Sequence, residues 1–213
     1  MIYGLSGASC SGKTTLAKKL SKKLGIPFIP TSITEMAAEA GLPSPVADLD
    51  LGDRVKLQVG LLKAFERFLG KIDTPCIIDR TPADLFAYTF AEIGMHSIKN
   101  TMNWSDVLGD CNKTLVNYRN SCIKMVNTYN PFIIFLSYLP NYKTDSKRPP
   151  VGEAYQIHCE ALIKGFLTEV SPKVKRMGVY THSAEDRLSL IYSEICYNMA
   201  QQRLEVARLR QLN

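Results

Sequence analysis

The nine residues GASCSGKTT, positions 7 to 15, constrain the folding of this 213-residue chain more than any other stretch. They follow the apolar run MIYGLS, which reads as a short buried strand. They open a segment, Lys13 to Leu24, in which Leu16, Ala17, Leu20 and Leu24 recur at helical spacing. Gly7, Gly12, Lys13 and Thr14 match G-x-x-x-x-G-K-[ST], with the strand before and the helix after that such a loop requires. The glycines let the backbone approach an anion where a side chain would block it. Gly7, Ala8, Ser9, Cys10, Ser11, Gly12, Lys13, Thr14 and Thr15 are then expected to cradle the phosphates of a nucleotide at the positive end of the helix. Lys13 is placed to reach the β- and γ-phosphates of ATP, and the Thr14 hydroxyl to bind Mg²⁺. The competing reading is a glycine turn with a surface lysine, and it leaves the flanking strand and helix unexplained.

The remainder of the chain alternates strand and helix signals. Gly25 and Pro27 end the first helix, and PFIP (27–30) is a short second strand. TSITEMAAEAG (31–41) predicts a short helix, with Ser32 or Thr34 as cap and Gly41 as terminator. An amphipathic helix over 53–71 follows a loop, and TPCIIDR (74–80) is a buried strand with Asp79 at its C-terminal end. Thr81 and Pro82 open the helix PADLFAYTFAEIG (82–94). Residues 97–112 are less regular. A helix over 113–129, the strand PFIIFLSYL, a polar loop and a helix over 154–170 come next, then the strand MGVYTH and a long helix from Ala184. This order predicts a single domain over 1–213 of the P-loop NTPase type. The expected architecture is a three-layer α/β/α sandwich around a mostly parallel five-stranded sheet, with ligands outside the carboxyl ends of the strands.

Composition narrows the setting. The chain is 46% hydrophobic and 22% charged, as a globular domain is, and no apolar run reaches the roughly 20 residues of a membrane span. The N-terminus lacks the basic start of a signal peptide. The six cysteines form no CxxC pair, so reduced thiols and a cytoplasmic setting are expected. A net charge of +6 favours an anionic partner, either a nucleotide or a nucleic acid. The excess is spread over helix faces (Lys18, Lys19, Lys22 and Lys23; Arg203, Arg208 and Arg210), so charge alone does not select nucleic acid. His96, His158 and His182 share no metal-binding spacing.

Phosphoryl transfer needs in-line positioning, a metal and positive charge on the transferring group. Asp79 suits the metal, the alternative being an aspartate that only faces the next helix's N-terminus. Arg80 is expected to clamp an acceptor phosphate or to orient a carboxylate, against a surface ion pair. Glu35, just past the second strand, is the candidate general base and acceptor contact, with Glu39 one turn on; an exposed helix carboxylate is the bland alternative. Arg54 and Gln58, four residues apart, would wall an acceptor region over about 31–72, a polar helix face being the equal alternative, with Asp84 and Tyr88 on the substrate side of the later helix. Phe86 and Phe90 read as core. Lys143, Lys147 and Arg148 lie in a loop of lid type, about 140–153, from which Arg148 would meet the transferring phosphate, the alternative being a solvated basic loop.

In GASCSGKTT, TSITEMAAEAG, DLDLGDRVKLQ (48–58), IIDRTPADLFAY (77–88), DSKRPP (145–150) and SAEDRL (183–188), the chain resembles P-loop kinases of the nucleoside and nucleotide kinase group. The likeness is strongest to AAA-type ATPase/kinase proteins of bacteriophages, related to ribosylnicotinamide kinases and deoxynucleotide kinases. It implies ATP and Mg²⁺ as cofactors and transfer of the γ-phosphate to a nucleoside or (deoxy)nucleoside monophosphate. Glu35 and Asp79-Arg80-Thr81 look like counterparts of the acidic base and the D/E-R-S motif of deoxynucleoside kinases. The E-P pair of those kinases and the DR-Y/H signature of thymidylate kinases are both missing, which leaves the acceptor open. The same resemblance allows a phage-type kinase acting on hydroxymethylated pyrimidines in DNA, located in the host cytoplasm. It also allows a homodimer. A nucleotide-binding ATPase or switch without an acceptor is the alternative from a different class.

Overall fold

In a parallel sheet both faces are covered, so its strands read as continuous apolar runs rather than alternating ones. The computed structural model, which describes residues 1–44, 49–99, 104–140 and 152–211, has this arrangement. Strands β1 (Ile2–Gly7), β2 (Phe28–Ile29), β3 (Cys76–Ile78), β4 (Phe132–Leu136) and β5 (Lys175–Val179) form one sheet in the order β2-β3-β1-β4-β5, all paired in parallel. The helices are α1 (Lys13–Leu24), α2 (Ile33–Glu39), α3 (Leu51–Gly70), α4 (Pro82–Lys99), α5 (Trp104–Tyr129), α6 (Glu153–Glu169) and α7 (Ala184–Gln211).

Side-chain alternation sorts the strand residues into two cores. Tyr3, Leu5, Ile77, Phe132, Ile134 and Leu136 face one side, where Leu16, Ala17 and Leu20 of α1 and Ile191 and Ile195 of α7 cover them. Ile2, Cys76, Ile78, Ile133 and Phe135 face the other, against Phe65 and Leu69 of α3, Phe86 of α4, Met125 of α5 and Phe166 of α6. The expected three-layer sandwich is therefore present, with its sheet parallel throughout.

Four boundaries differ from expectation, each for a local reason. Helix α3 starts at Leu51 because the Asp50 carboxylate accepts the Asp53 N–H at 2.8 Å and caps it. Strand β2 is only two residues long because it pairs with Ile77 and Ile78 alone. Strand β5 lies at 175–179 rather than 177–182, since its register follows β4 from Phe132 to Leu136 and stops where β4 stops. The stretch 97–112 is largely helical: α4 runs on to Lys99 and α5 begins at Trp104, extending the amphipathic 113–129 helix toward its N-terminus.

This topology places the site. All strands end on the same edge of the sheet. The chain moves from β1 out to β2, returns with β3 beside β1, and then lays β4 on the opposite side. The order reverses at β1, where open α/β sheets bind ligands, and the GASCSGKTT loop leaves β1 at that point. Among the described residues, no helix is long and apolar enough to cross a membrane.

Phe65 is fully buried in the larger core. Phe65→Ala is expected to lower unfolding stability by about 3–5 kcal/mol, read from the denaturation midpoint at constant slope.

Candidate active site

The loop is shaped by backbone demands that only some residues meet. A Cβ on Gly7 would lie 2.5 Å from the Leu136 carbonyl oxygen, so β1 and β4 can approach only with glycine there. Gly12 adopts φ 87°. Helix α1 starts without a side-chain cap and without an acidic residue in its first turn. The amides of Gly12, Lys13, Thr14 and Thr15 therefore have no intrahelical acceptor, and the helix dipole points its positive end at the loop.

The loop's carbonyls, in contrast, are held by side chains from the body of the protein. The Gly7 carbonyl accepts from the Lys13 ammonium and from the Tyr88 hydroxyl, the latter at 3.0 Å. Lys13 also donates to the Ala8 carbonyl at 2.8 Å. Gln156 of α6 donates to the Ser9 carbonyl at 2.7 Å. Arg187 of α7 donates to the Ser11 carbonyl at 2.8 Å while its other terminal nitrogen bonds Ser137 at the end of β4. With these carbonyls tied to the body, the loop keeps a shape in which its amides serve an anion.

Asp84, expected beside the substrate, lies under this loop with 0% of its surface exposed. Its carboxylate accepts the Gly7 N–H at 2.9 Å and the Thr81 N–H and hydroxyl at 2.8 and 2.9 Å, and it faces the Lys13 ammonium at 3.6 Å. The Thr81–Asp84 contact is one half of a capping box at the start of α4. Lys13 is 8% exposed. Burial lowers its pKa from the ordinary lysine value, and the Asp84 charge opposes that shift.

Asp79 stands at the end of β3. Its Oδ2 accepts the Thr14 hydroxyl at 2.5 Å, and its Oδ1 accepts the Thr31 N–H and hydroxyl at 3.0 and 2.7 Å. Burial pushes its pKa up, but the hydrogen bonds from Thr14 and Thr31, together with the Arg80 charge, outweigh burial and hold it below the ordinary carboxylate value. An anionic carboxylate oxygen beside a threonine hydroxyl is a hard oxygen pair of the kind Mg²⁺ takes alongside phosphate oxygens. Glu35 is exposed in the first turn of α2, where the Ser32 hydroxyl accepts its N–H at 3.3 Å. The Arg80 guanidinium lies 5.8 Å from the Tyr88 ring centroid, and its buried Nε has no hydrogen-bond partner.

Beyond Tyr88, α3 and α4 meet through polar side chains. Gln58 donates to the Glu92 carboxylate at 3.5 Å, and the Arg54 charge acts on the same group. Burial raises the Glu92 pKa, against the influence of Arg54 and Gln58. Glu92 was not among the sequence candidates, although Asp84, Tyr88 and Glu92 follow one another at four-residue steps along a single face of α4. Gln156 and Arg187 were missed as well. Each is a buried polar residue in an otherwise ordinary helix, and no periodic signal marks it. Lys143, Lys147, Arg148 and nearly all of the expected lid (141–151 of 140–153) lie outside the described residues. None of the six cysteines is in a disulfide, and His158 and His182 are exposed.

Comparison with known proteins follows this geometry. A family profile described as an AAA domain matches residues 3–187. No curated protein sequence matches the chain. Among solved structures, deoxyadenosine kinase from M. mycoides with bound dCTP is similar at 17% identity and TM-score 0.61, covering 92% of this chain and 100% of that one. Thymidylate kinase from Candida albicans is similar at 18% identity and TM-score 0.54, over 93% and 92% of the two chains. Shikimate kinase from Acinetobacter baumannii is similar at 17% identity and TM-score 0.51, over 92% and 93%. At these identities the likeness establishes a shared fold.

Two consequences can be measured. Asp84→Asn would turn an amide N–H₂ toward donors that now meet a carboxylate. It is expected to cost roughly 1–3 kcal/mol of stability in chemical denaturation and to weaken ATP binding with it. For Glu92 the folded-state pKa is raised, so its ionisation opposes folding: the effect is nil at low pH, where both states are protonated, and grows as pH climbs through the interval above the unfolded value. The stability difference between Glu92→Gln and wild type should therefore move in favour of the variant as pH rises from the acid range to neutrality, in paired thermal melts.

Proposed function

The chain belongs to the AAA-domain family, and from that premise we propose that it is a P-loop kinase that moves the γ-phosphoryl group of ATP to a nucleoside or nucleoside monophosphate. The observation that carries this reading is the row Asp84–Tyr88–Glu92 on α4. Asp84 holds the phosphate loop, Tyr88 touches it through the Gly7 carbonyl, and Glu92 pairs with Gln58 beside Arg54. One helix thus joins a donor site to a second polar wall, which an ATPase without an acceptor does not need. The amide and carboxylate of Gln58 and Glu92 present donor and acceptor atoms suited to the edge of a nucleobase. The names of the deoxyadenosine and thymidylate kinases that share the fold agree with such an acceptor.

In this reading the amides of residues 7–15 hold the ATP phosphates, and the Lys13 ammonium balances charge on the transferring group. Thr14 and Asp79 would hold Mg²⁺, which when bound would supply positive charge against the ATP phosphates. The Arg80 guanidinium, close to the Tyr88 ring, can bind an acceptor phosphate or the transferred group. The acceptor oxygen attacks the γ-phosphorus, the bond to the β–γ bridging oxygen breaks, and ADP leaves. When the acceptor is a hydroxyl, Glu35 takes its proton; an ionised phosphate acceptor has none to give.

With γ-labelled ATP and a panel of nucleosides and nucleoside monophosphates, label is expected in one mononucleotide class. Glu35→Gln should cut transfer to a hydroxyl acceptor by roughly 10²–10⁴-fold with ATP affinity unchanged. Label appearing only as free phosphate would sink the kinase reading, and label entering only polymeric DNA would move the acceptor from mononucleotide to DNA.

A further inference from the structure

Helix α7 covers α1 and the sheet with one face only. Arg187, Ile191 and Ile195 are buried on that inner face. On the opposite face Leu190 (50%), Tyr197 (58%) and Leu204 (58%) are exposed at seven-residue steps. Ser193, Ala200 and Ala207 fall between them, also exposed, at the three- and four-residue steps that complete a heptad seam. Single apolar residues on a surface are ordinary, but large apolar residues recurring on one exposed face over three successive heptads, with small residues between them, are not. From Leu190 to Ala207 it runs about 26 Å along the helix at 1.5 Å per residue.

We propose that this seam packs, antiparallel, against the same seam of a second copy of the chain. Two features of α7 select that occupant. The first is size: every large residue is followed by a small one. A two-fold axis passing between Asn198 and Met199 sets Leu190 opposite the partner's Ala207, Tyr197 opposite the partner's Ala200, and Leu204 opposite the partner's Ser193. Large meets small in every layer, so two identical seams fill each other without voids.

The second feature is charge. Glu185, Asp186 and Glu194 lie in the N-terminal half of α7, where the buried Arg187 is the one base, and Arg203, Arg208 and Arg210 lie in the C-terminal half, where Glu205 is the one acid. A parallel pair would set arginine beside arginine, whereas an antiparallel pair sets the basic end of each helix along the acidic end of the other. Lys175 of β5 lies beside the seam, paired with Glu194 and 5.5 Å from the Tyr197 ring centroid, and supplies part of a polar rim. The pairing also reaches the nucleotide end of the molecule, since the acidic start of α7 adjoins Arg187, which holds the Ser11 carbonyl.

Sedimentation velocity from micromolar to sub-millimolar concentration tests this. The wild type is expected to reach twice the chain mass of 23.8 kDa. Leu204→Glu should raise the dissociation constant by roughly tenfold or more, with an unchanged far-ultraviolet dichroism spectrum showing that the exposed site is not needed for folding. Orientation is read by mild oxidation, with the wild type controlling for native thiols. Leu190→Cys/Ala207→Cys should give a covalent dimer, and Ala207→Cys alone should not. A mass of one chain at all concentrations, a dimer indifferent to Leu204→Glu, or equal cross-linking of Ala207→Cys alone would each overturn the proposal.

Discussion

The Asp79 carboxylate ties together the ends of three neighbouring strands. It closes β3, accepts two bonds from Thr31 after β2, and accepts one from Thr14 in the first turn of α1, which follows β1. These groups meet only because β2, β3 and β1 are adjacent and parallel, so that their carboxyl ends open on one edge. The order of the sheet is thereby converted into a local chemical arrangement. A charged group this well supplied with donors stays ionised despite partial burial, and an ionised carboxylate beside a hydroxyl is what a phosphate-bound cation requires.

A second ring of contacts keeps the phosphate loop in shape. Lys13, Gln156, Arg187 and Tyr88 occupy its carbonyls, and Asp84 takes the Gly7 amide from below. These side chains come from α1, α6, α7 and α4, so the loop is braced by elements on both faces of the sheet. Such bracing reduces the ordering cost of binding an anion, because the amides need not be collected at that moment. The buried Lys13–Asp84 pair is tolerable only because both groups have further hydrogen-bond partners.

How much of this was legible in the sequence depended on the kind of signal. Strand–loop–helix at the N-terminus and the apolar runs at IIFL and CII announce a doubly covered parallel sheet, and the sheet is there. Helix limits were less legible, since Asp50 caps α3 ahead of the expected start at 53 and residues 104–112 continue the 113–129 helix toward its N-terminus. A sequence can place Asp84 on the same helix face as Tyr88, but it does not reveal depth, and Asp84 lies beneath the loop rather than at its mouth. Gln156 and Arg187 were invisible for a related reason: the loop carbonyls they hold are more than a hundred residues away. Glu92 was within reach, since it continues the four-residue row that Asp84 and Tyr88 begin.

The central claim is that Thr14 and Asp79 form the cation-binding half of an ATP site at the junction of β1 and β3. Calorimetric titration of ATP, with and without Mg²⁺, into wild type and Asp79→Asn addresses it most directly. The predicted result is a gain in ATP affinity on adding Mg²⁺ in the wild type that disappears in Asp79→Asn, while metal-free ATP binding is retained. An equal Mg²⁺-dependent gain in both proteins would contradict the account.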